Sequence, residues 1–232
     1  MKKHLLFFCS LGLLGAACQR PHDTGRIEAS GTLEMTEVYL SPTVAGKIST
    51  LGPQEGDRVT AGQRVGTLDR FEQAQRDYDR AKRLISAGGS TQQQAEHAQL
   101  ALQDEQLLSP IDGVILQRVS EPGEVIGPGT PALVIGNPKD VWIKVYIPEG
   151  VIGRVQLGQS ADLRVDAFPE RVFTGKVTFI SPKAEFTPKN IQTKEERVTQ
   201  MFAVKITLDH PEGLLKPGMP ADCHINAPPA HG

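Results

Sequence analysis

Residues 41–48 read Ser-Pro-Thr-Val-Ala-Gly-Lys-Ile, and residues 109–115 read Ser-Pro-Ile-Asp-Gly-Val-Ile. Each stretch opens a segment in which three glycines recur, the second ten residues after the first and the third six residues further on. The glycines are Gly46, Gly56 and Gly62 in the first segment and Gly113, Gly123 and Gly129 in the second. A glutamate shortly before the second glycine recurs as well. The chain therefore contains an internal duplication.

Both copies have the residue pattern of short strands joined by tight turns. Glycine readily adopts the positive φ angles that such turns require. The residues between the glycines are short and mostly β-branched: Val44, Ile48, Val59 and Val65 in the first copy, and Val114, Ile115, Val119 and Val125 in the second. One copy cannot bury its own apolar face, so we expect the two copies to close on each other as a flattened barrel.

The duplicated segments resemble the two halves of a biotinyl/lipoyl domain. Residues 59–68 look like the first half of such a domain, and residues 109–115 look like the start of its second half. In carrier domains of this family, a hairpin that bears the modified lysine joins the halves. Here Asp69 is followed by helix-like sequence, and the chain contains neither a Met-Lys-Met nor an Asp-Lys-Ala tip. The resemblance therefore implies the fold without the cofactor, and it disfavours a carboxyl or acyl carrier.

The sequence between the copies predicts an antiparallel helical hairpin over residues 70–106. Residues 70–87 contain no proline or glycine, and apolar residues recur there at steps of three and four. These are Phe71, Ala74, Tyr78, Ala81 and Ile85. Gly88-Gly89 is expected to end the first helix, because either glycine can take the left-handed cap conformation.

A second helix is expected to begin at Ser90 or Thr91, since each has a glutamine three residues later in a capping-box pattern. This helix is expected to continue to about Leu107. Ala95, Ala98 and Leu102 are expected on one face of this helix, and the small residues there permit close packing against the first helix.

The N-terminus has the layout of an export signal. Two lysines start the chain, and the run from Leu5 to Ala17 contains no charge. This run is shorter than the ~20 apolar residues that cross a bilayer, but it is typical of a secretory signal. The Gly-Ala-Ala before Cys18 resembles a lipoprotein lipobox, although the same ending also suits ordinary signal cleavage. We predict a signal peptide over residues 1–17, a linker over residues 18–25 and an acyl anchor on Cys18.

A split lipoyl-like unit around a helical hairpin, behind an export signal, resembles the HlyD-like periplasmic adaptors, or membrane fusion proteins, of bacterial efflux and secretion systems. The resemblance implies a mainly β chain: a barrel-sandwich hybrid over residues 26–69 and 107–139, interrupted by the hairpin, and a small β-barrel over residues 140–226. It implies a scaffold that joins an inner-membrane transporter to an outer-membrane channel and self-associates into a ring, expected to be a hexamer. It places the protein in the periplasm and favours the inner membrane for the anchor.

The C-terminal half has the pattern of a small barrel with one short helix. Residues 141–147 alternate between apolar residues and bulkier or polar ones, which is a strand signal. Pro148 suits the start of a short helix. Further strands are predicted at residues 160–165, 172–180, 201–208 and 221–225. The last residues, 227–232, are expected to form a flexible tail.

The resemblance also points to two contact sites. In many adaptors the hairpin tip docks a channel through an Arg, a Leu four residues on and a Ser seven residues beyond, and Arg80, Leu84 and Thr91 stand at that spacing. The alternative is a solvated Arg80, a Leu84 in the helix seam and a helix-capping Thr91.

Residues 181–190 resemble the barrel loop of adaptors that partner ABC-type exporters, so an ABC partner is favoured over a proton-driven one. The expected transporter contacts are Glu185, Phe186, Thr187 and Lys189. The alternative is an ordinary solvated loop.

Composition and motifs favour a protein that is not an enzyme. The net charge is −2 with 25 basic and 27 acidic residues, and aromatic residues make up only 5%, so a nucleic-acid surface is disfavoured. The chain contains no nucleophile elbow, phosphate loop or zinc-protease motif. Its histidines are scattered, and we expect no metal. A metal set of His210, Cys223 and His231 belongs to the alternative hypothesis, an exported ligand- or metal-binding lipoprotein outside any transporter.

Overall fold

The computed structural model describes residues 25–89, 91–186, 200–209, 211 and 213–227. The chain is mainly β with a helical hairpin, as predicted. Its strands are β1 (Arg26–Leu40), β2 (Gly46–Leu51), β3 (Arg58–Val59), β4 (Arg64–Leu68), β5 (Gln106–Leu108), β6 (Gly113–Arg118), β7 (Val125–Ile126), β8 (Leu133–Pro148), β9 (Ser160–Arg164), β10 (Phe173–Phe186), β11 (Gln200–Leu208) and β12 (Pro220–Asn226). Its helices are α1 (Phe71–Ser86), α2 (Gln92–Asp104) and α3 (Glu149–Ile152).

Six antiparallel strands close into a β-barrel in the order β1-β12-β9-β10-β11-β8, and β8 pairs back onto β1. Closure leaves these strands without an open edge. The alternation along β8 shows why the sheet closes on itself: Val141, Ile143 and Val145 are 0% exposed. The outward residues between them are half-buried. The strand pattern that the sequence showed over residues 141–147 is therefore the inside-outside alternation of a barrel wall.

The two copies of the duplication interlock in a second lobe, which we call the lipoyl-like lobe. Strand β2 of the first copy pairs with β7 of the second, and β3 pairs with β6. Both copies supply the same core, which includes Ile48, Val59, Val65, Leu68, Leu107, Ile115 and Ile126. The expectation that one copy would cover the apolar face of the other is therefore confirmed.

The repeated glycines serve two different purposes. The second and third glycines of each copy have positive φ, as the turn argument predicts: Gly56, Gly62, Gly123 and Gly129. The first glycine of each copy does not. A Cβ on Gly113 would lie 2.5 Å from the Ile135 side chain, and a Cβ on Gly46 would lie 3.1 Å from that of Leu68. Close packing therefore excludes a side chain at position 113, and it leaves little room for one at position 46.

The strands β1 and β8 run through both lobes, which corrects the predicted placement of residues 26–35 in the lipoyl-like unit. The first part of β1, Arg26 to Thr32, pairs with β12 in the barrel. Its last part, Glu37 to Leu40, pairs with Leu133 to Gly136 in the lipoyl-like lobe. No turn residue breaks β1, since only an irregularity between Met35 and Glu37 shifts its register on β8. The sequence therefore carries no signal for the point at which the strand changes lobe.

The helical hairpin forms largely as predicted. The five residues of the apolar stripe on α1 are half-buried, and Ala95 and Leu102 of α2 are buried. Gly88 has a φ of 74°, which lets the chain turn after α1. The predicted end of α2 near Leu107 is wrong, because the chain leaves the helix after Asp104 and residues 106–108 pair with β4. None of the helices in the described part of the chain is both long and apolar enough to span a membrane.

Candidate functional site

The outer part of the hairpin presents two of the predicted channel-docking residues to solvent. The Arg80 side chain is 66% exposed and pairs with the Asp77 carboxylate, with 3.6 Å between nitrogen and oxygen. Leu84 is 42% exposed, so the alternative that placed it in the helix seam is wrong. The two residues are four positions apart on α1 and therefore share one face.

Thr91 caps the second helix. The Thr91 hydroxyl accepts a hydrogen bond from the Gln94 N–H at 3.3 Å, and the Gln94 side-chain oxygen accepts from the Thr91 N–H at 3.2 Å. This reciprocal pair is the capping box that the sequence predicts. Thr91 is also exposed, and its hydroxyl hydrogen is not used by the cap. Capping and a contact with another protein are therefore compatible at this residue.

One exposed apolar residue of the hairpin is not among the predicted site residues. Leu100 of α2 is 57% exposed. It lies two positions before the buried Leu102, so the two side chains leave the helix in different directions. The sequence carries a signal for the exposure of Leu100. Residues 95, 98 and 102 follow the helical spacing of one face, and position 100 does not belong to that spacing.

The described residues on either side of the predicted transporter-contact loop lie at one end of the barrel. Glu185 is exposed near the end of β10 and pairs with Met201 of β11, and Met201 pairs in turn with Pro148 of β8. Phe186 is the last residue of β10. Thr187 and Lys189 lie outside the described residues, as does Cys18. The structure thus places the base of the loop and not its tip.

The outer wall of the barrel carries aromatic and cationic side chains that are not among the predicted site residues. The Lys205 ammonium lies 4.2 Å from the centre of the Trp142 ring, and the Lys144 ammonium lies 5.4 Å from the centre of the Tyr146 ring. A hydrogen bond with Tyr146 raises the pKa of Lys144, and the charges of Glu185 and Glu34 raise it further. The alternation in β8 was visible in the sequence, but only barrel closure shows which face is outside.

The one cysteine among the described residues is not suited to bind a metal. Cys223 is 0% exposed and lies in the barrel core. Burial raises the pKa of its thiol to about 12, with a smaller contribution from the charge of Asp162, whereas metal binding requires the thiolate. His210 and His231 fall outside the described residues. Within the ranges that the structure describes, no three Asp, Glu, His or Cys side chains are placed to hold a metal.

Comparison of the sequence with known proteins identifies the barrel and finds relatives. A family model described as the CusB-like β-barrel domain matches residues 140–229. The UPF0194 membrane protein in the asrC 5′ region of Acidithiobacillus ferridurans is 39% identical over 164 residues, which cover 68% of this chain and 48% of that protein. The UPF0194 membrane protein of Citrobacter koseri is 34% identical over 123 residues, which cover 53% of this chain and 37% of that protein. The chain thus spans about half or less of the length of these curated relatives.

Comparison of the structure with solved structures identifies the fold. The periplasmic adaptor protein EmrA matches with a TM-score of 0.53 and 17% identity, over 88% of this chain and 99% of that one. The membrane fusion protein Spr0693 from Streptococcus pneumoniae R6 matches with a TM-score of 0.57 and 18% identity, over 86% and 98% of the two chains. A MacA–MexA chimera with the Pseudomonas aeruginosa MexA α-hairpin matches with a TM-score of 0.62 and 21% identity, over 88% and 82%. The resemblance found in the sequence is therefore confirmed: the chain carries a CusB-like β-barrel domain and has the fold of the periplasmic adaptor, or membrane fusion, proteins.

Proposed function

We propose that this chain is a periplasmic adaptor subunit that links an inner-membrane exporter to an outer-membrane channel and acts as a scaffold without catalysing a reaction. The observation that carries this proposal is the separation of the two contact sites along β1. At about 3.3 Å per residue, the 15 residues of β1 span up to about 50 Å. The base of the proposed transporter-contact loop, at Glu185, lies near the start of β1. The hairpin is attached near the end of β1.

The loop base lies at the barrel end where β1 begins. Because β8 runs antiparallel to β1, its last residues, which follow Val145, lie toward Gly25. Pro148 pairs there with Met201, which also pairs with Glu185. Gly25, the first described residue, therefore lies at the same end of the barrel as Glu185, which supports the proposal that an N-terminal anchor and a transporter contact face the same membrane.

The hairpin is attached beyond the opposite end of β1. Thr43, three residues after β1 ends, donates a hydrogen bond from its hydroxyl to the Asp104 carboxylate at 2.9 Å. Asp104 is the last residue of α2. The exposed Arg80 and Leu84 lie further out along the hairpin, where we propose that they and Thr91 contact the channel.

We propose an ABC-type exporter as the inner-membrane partner, on the resemblance of residues 181–190 to the loop of ABC-linked adaptors. The contacts proposed are Glu185, Phe186, Thr187 and Lys189. A proton-driven partner is the second candidate, because the matching barrel model is named for RND-type proteins. The class of the captured transporter decides between the two.

We further propose that Cys18 carries an acyl anchor in the inner membrane and that the adaptor forms a ring, with a hexamer expected. Both follow from the family resemblance. Several acyl chains hold a protein at a membrane where one chain does not, since each buried methylene adds ~0.8 kcal/mol. A Cys18→Ala variant distinguishes this anchor from ordinary signal cleavage, because only loss of an anchor moves the protein from the membrane fraction to the soluble fraction.

A photo-cross-linking residue at position 185 is expected to capture a polytopic inner-membrane protein. Glu185 is exposed and is the last residue with a described side chain before the loop. The matched control is the same group at Asp166, an exposed residue that follows β9 at the other end of the barrel. Capture of a transporter from position 185 and not from position 166 supports the proposed contact. Equal capture from both positions, or none from either, would contradict it.

A further inference from the structure

The helical hairpin joins the lipoyl-like lobe through two short chain crossings, residues 68–71 and 104–106, which we call the hairpin foot. The Leu68 N–H donates a hydrogen bond to the Glu105 backbone carbonyl at 2.9 Å, which holds the two crossings side by side. Leu68 and Leu107 are each 1% exposed, so the chain leaves a packed core directly into the hairpin. Any change in the direction of the hairpin must therefore open contacts at the foot.

Three carboxylates make polar contacts at the foot. Asp69 accepts a hydrogen bond from the Lys47 backbone N–H at 3.2 Å, and Asp104 accepts one from the Thr43 hydroxyl. These two contacts tie the hairpin to the segment after β1. The Glu105 carboxyl accepts a hydrogen bond from the backbone N–H of Arg70, the residue that precedes α1. Glu105 therefore joins the end of α2 to the start of α1.

Glu105 is the buried member of this group. It is 9% exposed, and its Oε2 atom is buried with no hydrogen-bond partner among the described residues. An ionised carboxylate in this position is costly, because one oxygen has lost water without gaining a donor. The C-terminal end of α2 adds partial negative charge beside it. The foot thus packs best around a neutral carboxyl group.

We propose that the hairpin foot is a proton-sensitive hinge, closed around a neutral Glu105 and opened when Glu105 ionises. The hinge goes beyond the proposed adaptor function and does not depend on it, because it follows from the packing of this one chain. In an adaptor, it would make the direction of the hairpin respond to the pH of the compartment around it.

The groups that face Glu105 determine the direction of the effect. Burial raises the pKa of Glu105 above its ordinary value, and the charges of Asp69 and Asp104 raise it further. The backbone N–H and the guanidinium of Arg70 lower it, each by less than burial raises it. Two strands packed at the foot also contribute groups. In β2, the Lys47 backbone N–H donates to Asp69, and in β4, the Arg64 guanidinium lies 5.0 Å from the centre of the Phe71 ring.

The sign of the linkage follows from the raised pKa. A closed foot binds the Glu105 proton more tightly than an open foot, in which the carboxyl reaches water and titrates normally. The stabilisation of the closed foot is therefore complete below the ordinary glutamate pKa and is lost as the pH rises through the raised pKa. Between those two pKa values the ratio of closed to open foot changes by up to about tenfold per pH unit.

Hydrogen exchange of the full chain, followed by mass spectrometry from about pH 4.5 to about pH 7.5 and corrected for intrinsic rates, tests this hinge. The reporters are the amides of Leu68 and Arg70, which donate to Glu105. Their protection is expected to fall as the pH rises, while the amides of β8 in the barrel keep their protection. Protection at the foot that does not change with pH would overturn the proposal.

Three variants separate the hinge from a merely structural role of Glu105. In Glu105→Gln the foot is expected to stay protected across the whole range, since the amide cannot ionise. In Arg70→Ala the loss of protection is expected to begin at higher pH, because the guanidinium no longer favours the carboxylate. The control Glu96→Gln, at an exposed position of α2, is expected to match the wild type. A wild-type pH response in Glu105→Gln, or an unshifted response in Arg70→Ala, would overturn the hinge without affecting the proposed adaptor function.

Discussion

Replacing Gly31 with alanine should destabilise the barrel more than any exposed substitution. A Cβ at this position would lie 2.1 Å from the backbone carbonyl oxygen of Lys144 and 3.0 Å from a side-chain carbon of Val145. The obstructing carbonyl is backbone and cannot rotate away, so β1 and β8 must separate where they close the barrel. We expect Gly31→Ala to lower the free energy of unfolding by about 3 kcal/mol or more.

The single tryptophan provides the measurement. Trp142 lies on β8 opposite Glu34 of β1, so its fluorescence reports unfolding of the barrel. With a urea dependence of ~2–3 kcal/mol per molar, the midpoint of Gly31→Ala should fall by about 1 M or more. The control is Gly150→Ala, where nothing lies within 4 Å of the added methyl group, and its midpoint should be nearly unchanged. Equal midpoints for the two variants would contradict the pairing of β1 with β8.

Removing the helical hairpin should abolish export and leave the rest of the chain folded. Thr67 pairs with Gln106, and the Leu68 N–H bonds to the Glu105 carbonyl, so the two ends of the hairpin are already neighbours. An Asn-Gly turn in place of residues 69–104 therefore matches a two-residue β-hairpin connection. We expect the free energy of unfolding of the barrel to stay within about 1 kcal/mol of the wild type, because no described residue of the hairpin belongs to the barrel core.

The functional consequence is measured in a deletion strain whose sensitivity to toxic compounds is restored by the wild-type chain. The chain without the hairpin should fail to restore resistance, while a cross-linker at position 185 should still capture the transporter. The double variant Arg80→Ala, Leu84→Ala should also fail, with its helices intact. Arg76→Ala, an exposed change on α1 away from the tip, is the matched control and should restore resistance. Full resistance without the hairpin would rule out the proposed channel contact.

The parts of the fold that were predictable depend on local repetition. The glycine spacing marked both lipoyl-like copies, and the apolar steps from Phe71 to Ile85 marked α1. Long-range pairing left no such mark. Arg26 pairs with Asn226 at the opposite end of the described chain, and nothing near Arg26 in the sequence indicates it.

For the candidate sites, the sequence supplied a resemblance and not the exposure of each side chain. Arg80 and Leu84 were selected on the spacing of the adaptor family, and the structure adds that both are exposed on α1. Glu105 was different, because in the sequence it reads as one more charge on a long second helix. Its burial arises because the chain leaves α2 one residue earlier and pairs with β4. A helix end that depends on strand pairing cannot be read from helical periodicity.

The most direct test of the adaptor proposal is cross-linking in cells, followed by purification of the tagged full chain from membranes and mass spectrometry. We predict recovery of a polytopic inner-membrane transporter, whose sequence identifies its class, together with a ladder of self-cross-linked species of ring size. Recovery of the protein alone and monomeric would contradict the proposal and favour an exported binding protein that works without a transporter.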